Sequence, residues 1–106
     1  GAPNVGELTQ GLVQTADLTG DLRSTIGPHD WTLCLEVGEH VPAEHEARVF
    51  ENAVAGARVG VVLSWALPGQ PGDGHVNCRP NEYVQRRMER LGFAYDPLRT
   101  ARLRAA

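Results

Sequence analysis

Lysine is absent from this chain, methionine occurs once, as Met88, and cysteine twice, as Cys34 and Cys78. No apolar run comes near the roughly 20 residues a membrane-spanning helix needs, which excludes a spanning segment and membrane partners of that kind. Two cysteines make no disulfide framework. Cys34 sits within an apolar run, where a thiol behaves as a small buried hydrophobe, and Cys78 falls in a loop. Both are expected to stay reduced, as in a cytoplasmic protein. Nothing at the start of the chain has the pattern of a signal peptide or other targeting segment. Gly1 is not an initiator methionine, so either a methionine has been removed or the chain is an excised piece.

With lysine missing, all fixed positive charge is arginine, and it is unevenly spread. Residues 1–78 carry Arg23, Arg48 and Arg58 against ten acids, whereas residues 79–106 carry seven arginines against Glu82, Glu89 and Asp96. An arginine-only tail can meet phosphate or carboxylate. The plainer reading is a solvated helix face, and nothing in the composition demands nucleic acid.

A chain of 106 residues is a single domain with one modest core, burying roughly two-thirds of its unfolded surface. Residues 1–11 read as a Gly/Pro loop with a turn of helix. Residues 12–16 read as a short strand ending at Asp17-Leu18-Thr19-Gly20, and 31–37 as a buried strand. A helix is expected from Val41-Pro42-Ala43-Glu44 to about residue 55, with Ala43, Ala47, Phe50 and Val54 inward and Gly56 at its end. Residues 59–66 read as a nearly continuous apolar strand. A long Gly/Pro loop follows over 67–80, of a length that in a compact domain is usually functional. Asn81 can cap a helix over 82–91 that buries Val84, Met88 and Leu91, with Gly92 closing it. Residues 93–95 could enter another strand, and 97–106 is either helix or frayed tail. The alternation of strand and helix predicts an α/β fold with a mostly parallel sheet. No internal repeat is visible.

Chemistry concentrates where the 31–37 strand turns polar. Glu36, Glu39 and His40 stand at i, i+3 and i+4, so one helical turn points them the same way. His75 is presented between Gly74 and Val76 in the long loop, whose glycines let backbone approach a ligand closely. Such a mixed oxygen and nitrogen set suits Mg²⁺, Mn²⁺, Zn²⁺ or Fe²⁺. In open α/β sheets, ligands bind beyond the carboxyl ends of the strands, where these loops emerge. The competing reading is that both glutamates favour the helix N-terminus that follows and both histidines are surface residues. A small metal-dependent hydrolase using the same four side chains is a further reading.

Three segments, 12–19, 30–42 and 60–77, resemble successive parts of a class I S-adenosylmethionine-dependent methyltransferase. Ala16-Asp17-Leu18 is similar to the family's loop after its third strand. By that resemblance Asp17 accepts from the adenine amino group, with Leu18 and Leu35 also at the cofactor. Leu33-Cys34-Leu35-Glu36-Val37-Gly38-Glu39-His40 is similar to the fourth strand with a Glu-x-x-Glu-His ending. That ending resembles the small-RNA 2′-O-methyltransferases and the ubiquinone-pathway O-methyltransferases. The resemblance implies Glu36, Glu39, His40 and His75 as ligands of a divalent metal beside a substrate hydroxyl, of a small molecule or RNA. It makes His40 and His75 the catalytic residues and puts Trp65, Gln70 and Asn77 on the substrate side.

The family's first strand and its Gly-x-Gly-x-Gly loop have no counterpart, since Gly69 to Gly74 follows the wrong strand and contains Pro71. The resemblance therefore implies a partial Rossmann-like sheet, weak or no activity from these 106 residues alone, and an open edge on the 31–37 strand. Unpaired strand edges are costly. The gap is expected to be closed by the 12–16 strand or by a second chain, as a dimer or by strand exchange. The rival expectation is a non-catalytic module of the same origin, kept for self-association.

Overall fold

The structure, a computed structural model, describes residues 3–106, so the first two positions of the expected 1–11 loop lie outside the described residues. It is an α/β arrangement built on a two-stranded parallel sheet. In chain order come α1 (Val5–Leu8), β1 (His29–Cys34), α2 (Glu46–Val54), β2 (Ala57–Leu63), α3 (Asn81–Arg90) and α4 (Pro97–Ala105). Two short 3₁₀ turns, Gly38–His40 and Ala43–His45, lead from β1 into α2. Parallel strands cannot be joined by a hairpin, and α2 supplies the crossover they require. Trp31 pairs with Gly60, Leu33 with Val62 and Cys34 with Leu63.

Glu46, Val49, Phe50 and Ala53 form the buried stripe of α2, spaced i, i+3, i+4, i+7. This face differs from the expected one, which held Ala43, Ala47, Phe50 and Val54; only Phe50 is common to both. The difference has two causes. Ala43 lies in a 3₁₀ turn before the helix, and two polar residues, Glu46 and Asn52, are drawn inward by hydrogen-bond partners. Phe50 stacks on Trp65 with ring centroids 4.9 Å apart, and Val49 completes the centre of the core. Val41, Leu63, Tyr83, Val84 and Met88 pack around it. Leu91, expected inside, is exposed.

Helix ends follow local chemistry. Gly92, at φ +89°, closes α3: its amide donates to the Glu89 carbonyl, and that of Phe93 to the Met88 carbonyl. Such paired closing bonds satisfy the last carbonyls of a helix. They also consume the start of the 93–95 segment, which forms no strand. Asp96 caps α4 through Arg99 N, with Pro97 in the first turn, so 97–105 is helix rather than frayed tail.

The 12–16 strand does not form. Leu12 is 89 % and Val13 47 % exposed, and among the described residues the sheet holds β1 and β2 alone. The outer edge of β1 is therefore not closed by this segment. Trp31 and Leu33, which alternate onto one side of β1, and Leu35 just past its end are exposed.

Replacing Phe50 by Ala is expected to cost about 3–5 kcal/mol of stability. Leu33→Ala, at a position 70 % exposed, is expected to cost about 0.5 kcal/mol or less. Equilibrium urea unfolding of the two variants checks the contrast.

Candidate metal centre

β1 ends at Cys34, and the chain turns sharply through Glu36, whose φ of +56° is unusual for a residue with a side chain. Ser64, just past β2, holds that turn. Its hydroxyl accepts from Glu36 N at 2.8 Å and donates to Glu36 Oε1 at 2.7 Å. The 3₁₀ turn that follows lays Gly38 directly on the Trp65 ring, where any side chain would collide. Glu39 is thereby carried into the interior and His40 to the surface.

The long loop is fastened to the same turn. Val76 N and Asn77 N both donate to the Glu39 carbonyl, at 2.9 and 3.0 Å, and the Trp65 indole donates to Asn77 O at 2.6 Å. Arg79 N bonds Ala66 O at 3.0 Å. His75 is thus brought to His40, ring centroids 5.1 Å apart and edge to face.

One donor atom from each of Glu39, His40 and His75 lies within 4.8 Å of the others. His40 Nδ1 meets Gly74 O at 3.1 Å and His75 Nδ1 meets Gln70 O at 3.0 Å. A carbonyl can only accept, so both rings donate through Nδ1 and keep the Nε2 lone pair free. Metal-binding histidines are commonly held this way.

Glu39 is the decisive member. Its side chain is 0 % exposed and neither carboxylate oxygen has a hydrogen-bond partner. A buried carboxylate without a partner costs several kcal/mol and calls for a proton or a cation. Glu36 stands outside the three-residue group but beside it. The Ser64 hydroxyl, then the Glu39 carboxyl, then His75 and His40 hold its carboxyl below the ordinary value. A cation between Glu36 and Glu39 would give the buried Glu39 carboxyl the partner it lacks.

The remaining expected site residues are distributed as follows. Leu18 and Leu35 line one groove of about 470 Å³ together with Ile26, Val37, Val49 and Asn52. Asp17 is at the surface, its Oδ1 accepting from Thr19 N and Thr19 Oγ1, and those bonds hold its carboxyl below the usual range. Gln70 Oε1 accepts from Leu67 N at 3.2 Å, closing a turn of the loop. Trp65 and Asn77, expected on the substrate side, are instead buried at 6 % exposure each and face inward. Their polar atoms are committed to each other and to Glu46.

Sequence reasoning missed three residues that hold the site. Asn52 on α2 donates to Leu18 O and Gly20 O and accepts from Leu22 N, fixing the groove wall. Ser64 holds Glu36. Glu46 accepts from Asn77, Arg79 and Tyr83. The only signal in the sequence was a polar residue on the Phe50 face of the helix. Cys34 and Cys78 are both free thiols, and burial, with Glu39 nearby, pushes the Cys34 thiol up. Among the described residues no helix is long and apolar enough to cross a membrane. Compared with known proteins, the chain matches no family model, no curated protein and no solved structure.

Glu39→Gln is expected to raise stability by about 1–3 kcal/mol in the presence of chelator, because an amide can donate to Glu36 where a carboxylate cannot. The same change is expected to abolish stabilisation by added Mn²⁺ or Zn²⁺. Thermal melts with and without metal read both effects.

A second expectation concerns acid. Burial pushes the Glu46 carboxyl up, but hydrogen bonds from Asn77, Tyr83 and Arg79 outweigh it and leave it below its ordinary 4.5. The unfolded chain then binds this proton more readily, so stability rises with pH across the interval. The contribution is complete above 4.5 and is lost as pH falls through the folded value. Urea midpoints at about pH 3, 5 and 7 are expected to show a shallower acid limb in Glu46→Gln than in the parent.

Proposed function

We propose that this chain forms the metal-holding part of an S-adenosylmethionine-dependent methyltransferase directed at a hydroxyl, on a partial Rossmann-like sheet. The observation that carries the reading is the buried, unpartnered Glu39 carboxylate converging with His40 and His75. The groove walled by Leu18 and Leu35 supports an adenine position, since a flat apolar ring suits aliphatic walls. Asp17, one residue before Leu18, supplies a surface carboxylate near that wall.

Glu39, His40 and His75 would hold a divalent ion, with Glu36 at its open side. A bound ion supplies a lowered pKa for a hydroxyl and fixes its direction, and the cofactor supplies an activated methyl group. The protein's own contribution is alignment, through the pinned loop and the strained Glu36 turn. The reading places the protein in the cytoplasm, where free thiols persist.

A second reading, a non-catalytic self-association module, has one observation in its favour. Trp31, Leu33 and Leu35 leave apolar surface exposed on and just beyond β1, an arrangement suited to a second chain.

Titration calorimetry separates the two. Mn²⁺ or Zn²⁺ is expected to bind saturably and to lose about 100-fold or more in affinity in His75→Ala. S-adenosylhomocysteine is expected to bind weakly, and less well in Asp17→Ala. No heat from either ligand, together with dimers in light scattering, would favour self-association.

A further inference from the structure

Glu46 opens α2 and is buried, at 5 % exposure, against the Asn77 side chain. Oε2 accepts from Asn77 Nδ2 at 2.9 Å and from Arg79 Nε at 3.0 Å, while Oε1 accepts from the Tyr83 hydroxyl. The Arg87 guanidinium stands 3.7 Å from Oε1. Each carboxylate oxygen is thus occupied, which leaves Glu46 unsuited to act as a ligand or a base. Two of its four partners, Asn77 and Arg79, belong to the strip of loop just after His75; the other two belong to α3.

Asn77 connects the cluster to the metal group. Its side chain is held by Glu46, its carbonyl accepts from the Trp65 indole, and its amide donates to the backbone carbonyl of Glu39. A rotation of Asn77 would move His75, two residues upstream, and would release the Glu39 turn in the same motion.

We propose that Glu46 is a positioning residue that sets the separation of Glu39 from His75. The proposal rests on the reading of that group as a metal centre. Buried ion pairs often add little to stability compared with apolar residues of the same volume. A cluster attached to the backbone of one ligand and to the loop of another contributes geometry instead.

The test uses the full chain with Mn²⁺ alone as probe and takes two readings, calorimetric affinity and hydrogen exchange at the Val76 and Asn77 amides in chelator. Glu46→Gln is expected to lower affinity about 10–100-fold, the scale of outer-shell substitutions, and to speed exchange at both amides. Met88→Ala, which removes core packing but none of the hydrogen bonds that Glu46 accepts, is expected to keep affinity within about threefold at a comparable loss of stability. Unchanged affinity and protection in Glu46→Gln would overturn the proposal, as would an equal loss of affinity in Met88→Ala. Should Glu46→Gln fail to fold, Arg79→Gln removes one donor and leaves the carboxylate, with a smaller loss in both readings expected and none overturning the proposal. If the parent chain binds no Mn²⁺, the metal reading falls, and amide exchange alone decides whether Glu46 sets the loop.

Discussion

The Glu39 carbonyl accepts from two successive amides, Val76 and Asn77, and the candidate site depends on that junction. It joins the turn after β1 to the loop that leaves β2, and with the Trp65 indole on Asn77 O and Arg79 N on Ala66 O it brings His75 to His40. The bond pair also helps keep Glu39 in the interior, so the carboxylate on the same residue is held where water cannot solvate it. The junction thereby contributes both to the convergence of side chains and to the burial of a carboxyl without a partner.

Aromatic packing supplies the rigidity behind that junction. Trp65 lies between Gly38 and Phe50, with its indole nitrogen committed to Asn77. A large flat side chain with a single donor suits this place, since it fills the core and still directs one hydrogen bond. Gly38 is required because the chain passes against the ring. The Glu36 turn, at positive φ, is backed by Ser64 from the neighbouring strand. Strain of this kind is commonly concentrated at functional positions.

Much of this was legible in the sequence, for identifiable reasons. The parallel pair with its helical crossover follows from apolar runs separated by an amphipathic segment, and Gly56 and Gly92 mark helix ends because both need positive φ. The Glu39, His40 and His75 convergence was visible as spacing plus a long glycine-rich loop. What failed was inference about neighbours. Residues 12–16 have strand-like composition but no partner, and composition does not supply one. The resemblance puts Trp65 and Asn77 on the substrate side, whereas the indole and the amide find partners inside. The buried roles of Glu46 and Asn52 are not legible in the sequence, because a lone polar side chain on a helix shows nothing of what it will meet thirty residues away.

An anomalous-scattering map from crystals grown with Mn²⁺ or Zn²⁺ tests the central claim most directly. The account predicts one metal peak about 2.0–2.3 Å from a Glu39 carboxylate oxygen and from Nε2 of both His40 and His75. A map without such a peak, from crystals in which Glu39 is buried and neutralised by some other partner, would contradict it.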